Sequence, residues 1–163
     1  MPASRAVRPK DCHERALGLL AVRARSRREL ERRLLDAGFP DDEVAAELSR
    51  LESVGLIDDE DFARQLARHA FGTRGSGARA VTGALAAKGV PHDVITTVVA
   101  EFDRDPEARA ETLARSKARS LAGLDPAKAF TRLSGLLMRR GYDPSTARTV
   151  ARRVLAPDAT GDD

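Results

Sequence analysis

The chain has 163 residues, of which 42% are hydrophobic, 33% charged and only 4% aromatic, with no Trp. That length suits one domain or a short array of smaller units, and a core made of Leu, Val and Ala suits closely packed helices. A single cysteine, Cys12, excludes an internal disulfide framework, and neither a membrane span of roughly 18 apolar residues nor the apolar stretch of a secretory signal is found.

A soluble, cytoplasmic protein is expected. The formal charge of +3 and pI of about 9.5 conceal an alternation of sign. Residues 1–40 carry ten basic and five acidic side chains, whereas residues 41–63 carry one basic and nine acidic. Segments of both signs suit a partner that itself bears both, such as a protein–nucleic acid assembly.

Residues 1–11 read as a disordered lead. A first helix is expected at about 14–24, with Leu17, Leu20, Ala21 and Ala24 on one face. Ser26-Arg27-Arg28-Glu29 is a capping box that opens a second helix, with Leu30 and Leu34 inward. Gly38 stops it, because glycine takes the left-handed conformation without a Cβ clash. Val44, Leu48 and Leu51 then mark one face of a third helix.

The pattern begins again after residue 55. A helix at about 59–71 aligns Phe62, Leu66 and Ala70, and TRGSG at 73–77 reads as a flexible joint. Val81 and Leu85 precede Gly89, and Ile95, Val99 and Phe102 follow it. A weaker, Ala-rich helix is expected at about 106–121 after Asp105-Pro106. Asp125-Pro126 and Asp143-Pro144 open two more, each with an N-cap carboxylate before a proline at the first helical position. Leu133 and Leu137 precede Gly141, and Ala147, Ala151 and Val154 follow it. Residues 157–163 read as a disordered acidic tail.

Aligned on Gly38, Gly89 and Gly141, the three stretches match at seven offsets with a period near 51 residues, the mark of a tandem repeat. The expected architecture is all-α: an elongated, curved array of three three-helix repeats, about nine helices, over 12–55, 56–103 and 104–156. Side-by-side stacking of the units would make the long concave surface typical of such arrays.

No catalytic or metal constellation is assembled, so no enzyme and no cofactor are expected. His13, His69 and His92 occupy different repeat positions and lack ligand spacing, and GTRGSG has no following Lys-Ser or Lys-Thr. The acidic run Asp58-Asp59-Glu60-Asp61 lies at a helix start, where carboxylates cap free amides; part of it could also face a basic partner.

Three basic groups are the candidate contacts for a partner or a phosphate backbone. The densest is VRARSRRELERR at 22–33, with Arg23, Arg25, Arg28 and Arg32. Arg64, Arg68, Arg74, Arg79 and Lys88 form the second, and Arg139, Arg140, Arg148, Arg152 and Arg153 the third. Each has an alternative reading as a solvated helix face. Helix–Gly–helix invites a helix-turn-helix reading, but the helices after Gly38 and Gly89 open PDDEVAAEL and VPHDVITTV, acidic or without base-reading side chains.

LLAVRARSRRELERRLLDAGF followed by LSRLESVGLIDDEDFARQLAR resembles the RecX family, bacterial regulators of the RecA recombinase. The matching elements are Arg23-x-Arg25-Ser26-x-x-Glu29-Leu30, the Gly55-Leu56-Ile57-Asp58-Asp59-x-x-Phe62-Ala63 box, and Gly77 through Leu85 to Lys88-Gly89. Leu66 departs from the aromatic expected there. The resemblance covers about 14–155 and implies a non-enzymatic protein of DNA repair and the SOS response. Its implied partner is the RecA–single-stranded DNA filament, in whose groove such proteins block extension, ATP hydrolysis and strand exchange. A monomer, with no membrane partner, is expected. The alternative is an architectural, sequence-nonspecific protein binding single- or double-stranded DNA through its basic faces.

Overall fold

The computed structural model describes residues 10–156, which form nine α-helices and, among the described residues, no strand. The first triad is α1 (Cys12–Val22), α2 (Arg27–Asp36) and α3 (Asp41–Ser53). The second is α4 (Asp59–Arg68), which runs on as a π turn over His69–Thr73, then α5 (Ala78–Ala87) and α6 (His92–Phe102). The third is α7 (Pro106–Ala118) with a 3-10 turn at Arg119–Leu121, then α8 (Pro126–Arg139) and α9 (Pro144–Leu155). The disordered ends expected at 1–11 and 157–163 lie outside the described residues, except that Asp11 caps α1 by accepting from the Glu14 amide at 2.8 Å.

Each triad closes on its own core. Leu30 and Leu34, Val81 and Leu85, and Leu133 and Leu137 are all buried at the matched positions. Burying one such side chain is worth roughly 1.5–3 kcal/mol, so each middle helix is held mainly by these two residues. Gly38, Gly89 and Gly141 adopt φ of +91°, +72° and +98°. The amide after each glycine returns to the carbonyl of Leu34, Leu85 or Leu137, closing the helix with the expected stop. The capping box is present, with Ser26 Oγ accepting from the Glu29 amide at 3.2 Å. Asp105, Asp125 and Asp143 cap α7, α8 and α9.

Several expectations need correction. α1 starts two residues early and turns a different face inward: Cys12, Ala16, Leu19 and Leu20, while Leu17, Ala21 and Ala24 are exposed. The reason lies in α3. Nine residues after the turn glycine, Val98 and Val150 are buried in the second and third triads, but the first has Glu47. His13 Nδ1 lies 2.6 Å from Glu47 Oε1, so α1 is registered by a polar pair as well as by leucines. In the second triad Phe62, Leu66 and Ala70 are only half-buried, and the deeper positions are Ala63, Ala67 and Phe71.

The triads are joined end to end through their middle helices and not stacked flank to flank. The extensive helix–helix contacts all fall within triads. Between them, the C-terminal turn of one middle helix meets the N-terminus of the middle helix before it. At the second joint the Gly77 amide donates to the Arg140 carbonyl at 2.8 Å, and the Arg79 amide to the Gly141 carbonyl at 3.1 Å. Carbonyls left free at the end of α8 thus satisfy amides left free at the start of α5, whose N-cap glycine has no side chain to do so. At the first joint Ser26, aligned with Gly77, donates its hydroxyl to the Lys88 carbonyl, aligned with that of Arg140. TRGSG is therefore the seat of the third triad, not a free linker. The Tyr142 hydroxyl donates to the Gly75 carbonyl at 2.7 Å, and Arg140 Nη1 to the Arg74 carbonyl at 2.8 Å.

Candidate partner-binding surface

The end-to-end joints decide which basic residues are free. At the first joint Glu29, with a side chain 8% exposed, receives Arg23 Nη2 at 2.8 Å and Lys88 Nζ at 3.0 Å. Burial by itself raises the Glu29 carboxyl, and the hydrogen bonds from Arg23 and Lys88 more than reverse this, holding it at about 2. Two predicted contact residues, Arg23 and Lys88, are thus engaged inside the protein, one from each triad. Asp59 accepts from the Arg27 amide at 2.9 Å across the same joint, while burial pushes its carboxyl up. Asp58 caps α4 by accepting from the Asp61 amide at 3.0 Å, and Asp61 accepts from Gln65 at 2.6 Å. Of the acidic cluster, Asp58 has the expected capping role, and Asp59 pins the two triads together.

Arg25 is corrected from a surface contact to a buried residue. It is 8% exposed, its Nε reaches the Leu19 carbonyl at 3.3 Å near the end of α1, and its Nη1 is buried without a hydrogen-bond partner. Burial, then Arg23 and Arg33, push its guanidinium below the ordinary value. A buried, half-satisfied cation contributes little net stability. Arg25→Met is accordingly expected to keep or raise thermal stability, by up to about 2 kcal/mol. It is also expected to leave partner binding unchanged. A lower melting temperature, or lost binding with the fold intact, would return Arg25 to the functional list.

The third basic group divides in the same way. Arg153 bridges Glu107 at 3.0 Å and Glu111 at 3.1 Å. Arg152 lies 5.8 Å from the Phe130 ring centre, and Arg68 lies 6.0 Å from that of Phe102. These side chains brace the helices they sit on. Arg28, Arg32, Arg74, Arg79 and Arg139 are exposed and form no ion pair among the described residues.

The free cations gather at the joints. Arg28 and Arg32 flank a groove of 380 Å³ between α2 and the end of α5, floored by Leu35, Ala86 and Ala87 and shared with the carboxylates of Glu31 and Asp36. Arg74, Arg139 and Arg140 line a second cleft at the other joint, with Lys117 from α7. Sequence reasoning missed Lys117 because the Ala-rich α7 gave no sign of which face it buries. It also missed Arg109, which donates to Asp103 at 2.8 Å, caps the Phe102 carbonyl at 3.1 Å and lies 4.5 Å from the Phe71 ring centre. This residue anchors α7 to the second triad.

No group of His, Cys, Asp and Glu able to hold a metal ion occurs among the described residues. No helix there is long and apolar enough to cross a membrane. What the surface offers is two joint clefts with different charge.

Three family descriptions match this chain: "RecX, first three-helix domain" over residues 12–51, the second such domain over 58–99 and the third over 105–151. A protein named Regulatory protein RecX from Mycobacterium avium (strain 104) is 46% identical over 144 residues, 87% of this chain and 83% of that protein. The Regulatory protein RecX of Mycolicibacterium smegmatis is 47% identical over 145 residues, 86% of this chain and 77% of that one. The crystal structure of RecX from Lactobacillus salivarius superposes with a TM-score of 0.79 over 88% of this chain and 94% of that one. At 19% identity that likeness bears on the fold alone.

Proposed function

Because the chain belongs to the RecX family of regulatory proteins, we propose that it is a non-enzymatic negative regulator of homologous recombination. It binds in the groove of a RecA–single-stranded DNA filament and inhibits filament extension, ATP hydrolysis and strand exchange. It does so as a monomer in the cytoplasm. The observation that carries this reading is the end-to-end joining of three triads. The path along α2, α5 and α8 is about 50 Å at 1.5 Å per helical residue. Such an array can touch several subunits of a polymer at once, and its alternating charge suits a surface made of protein and nucleic acid together. The groove beside Arg28 and Arg32, with cations, carboxylates and an apolar floor, has the mixed character of a protein contact.

The test is the DNA-dependent ATPase of a cognate recombinase on single-stranded DNA, titrated with this protein well below one copy per subunit. A several-fold fall in that range is expected, because one array disables many subunits. Arg28→Glu with Arg32→Glu should shift the titration to higher protein, most clearly at low salt. Inhibition that appears only when the DNA itself is saturated would favour plain competition for DNA, the architectural alternative.

A further inference from the structure

The cleft at the second joint gathers more unpaired cations than the groove at the first. Arg74, Lys117, Arg139 and Arg140 converge on it from the loop before α5, from α7 and from the end of α8, and no carboxylate lines it. None of the four is paired with a carboxylate among the described residues. Other arginines are compensated singly, Arg23, Arg64, Arg109, Arg115 and Arg153 each meeting Asp or Glu at 2.6–3.2 Å, and the unpaired Arg28 and Arg32 share their groove with Glu31 and Asp36. Four like charges held together without a counter-charge repel one another, and a bound anion relieves that cost.

We propose that this cleft is a subsite for the phosphodiester backbone of a single nucleic-acid strand. Guanidinium groups and hydroxyls are the side chains that hold phosphate oxygens, and Thr73 and Ser76 stand beside the arginines. The cleft measures 680 Å³, the size of a small-molecule pocket, so it takes a short run of backbone and not a duplex. Leu113 and Ala80 are its only wholly apolar side chains, and Ser116 adds a third hydroxyl beside Thr73 and Ser76. No aromatic ring lines it either, so bases gain no stacking and recognition falls on the phosphates, independent of sequence. The joint itself supports the site. Arg140 Nη1 is fixed on the Arg74 carbonyl, and the backbone pairing of Gly77 and Arg79 with the end of α8 holds the two walls at a set distance.

This inference concerns the isolated protein and does not need the recombinase, so the two readings fail separately. The experiment is fluorescence anisotropy of a labelled oligothymidylate with the full chain, measured across a salt series. Full use of the four cations gives a log–log salt slope of about −2.8, at 0.7 per phosphate of a single strand. Arg74→Glu with Arg139→Glu should reduce the magnitude of that slope by about 1.4. Arg15→Glu with Arg50→Glu, a charge-matched change in the first triad, should leave it within error. Should the doubly reversed variant not melt cooperatively, Arg74→Gln with Arg139→Gln carries the same expectation. An unchanged slope in the cleft variant overturns the proposal, as does tighter binding of a duplex than of the single strand. Equal competition by polyglutamate also overturns it, because the cleft would then be a general anion patch. If strand binding is absent while substoichiometric ATPase inhibition persists, the subsite is lost and the regulatory reading stands.

Discussion

Gly141→Ala is expected to cost about 3 kcal/mol or more, while the same change at Gly38 costs only about 1. The two glycines occupy the same repeat position and both have positive φ, +98° and +91°. They differ in what surrounds them. A Cβ at Gly38 meets nothing within 4 Å, because no triad precedes the first among the described residues. At Gly141 it would strike the backbone and Cβ of Ala80, at the start of α5. The substitution therefore adds an overpacking cost of about 1–3 kcal/mol to the conformational one. Gly77→Ala separates the two terms: its φ of −88° is ordinary, yet a Cβ there would collide with the Gly141 carbonyl. Chemical denaturation of the three variants gives the ranking, with Gly38→Ala mildest. In Gly141→Ala and Gly77→Ala the third triad should unfold in a separate, earlier transition, as weakened interfaces make repeat arrays do. Equal losses at Gly38 and Gly141 would mean that the joint contributes nothing beyond local turn geometry.

Those joints bear on the regulatory reading as well. An array that lies along a polymer must keep its contact groups at a fixed spacing. Here the spacing is set where the C-terminal turn of one middle helix meets the N-terminus of the middle helix before it. Polar backbone groups that a helix ordinarily leaves to water are paired across the joint. The two joints are not built alike. The second is closed by backbone hydrogen bonds, Tyr142 and Arg140, and presents uncompensated cations. The first depends on the charges of Glu29, Lys88 and Arg23 and presents both signs.

Helix number, middle-helix cores and turns were legible in the sequence because each rests on local rules. Leucines four residues apart, a glycine after them and a carboxylate before a proline mean the same thing in any helical protein. The face of α1 was not legible, since Glu47 fills the place of a valine, and only the fold shows that His13 answers it. The end-to-end joints were hidden for a related reason. Gly77 and Gly141 have neighbours 61 or more residues away in sequence, so their close approach leaves no local pattern. Of the basic residues, the sequence supplied the groups but not their division. Whether an arginine is spent on Glu29, Glu107 or Asp103, or left free in a cleft, depends on which helix ends meet.

Glu29→Gln should loosen the first joint while leaving the second intact. The carboxylate is the N3 member of the capping box, the acceptor for Arg23 and the acceptor for Lys88 of the next triad. Its folded carboxyl sits at about 2 against an ordinary 4.5. A depressed folded value means that the unfolded chain takes up the proton first. The stabilisation is therefore complete above about pH 4.5, declines as the pH falls and is gone below about 2. Arg23 and Lys88 are 42% and 39% exposed, so solvent screening reduces the contribution to about 1–2 kcal/mol. Between pH 4.5 and 2 the parent should lose that much more stability than Glu29→Gln, as read from urea midpoints across the series. At neutral pH the variant should also show faster amide exchange at the Ser26 end of α2, where the charge that holds Arg23 and Lys88 is lost, than at the Gly77 end of α5. Parallel loss of stability in parent and variant through that window would mean that Glu29 is not the group that ties the first triad to the second. The joint would then rest on the Ser26 hydroxyl and Asp59 alone.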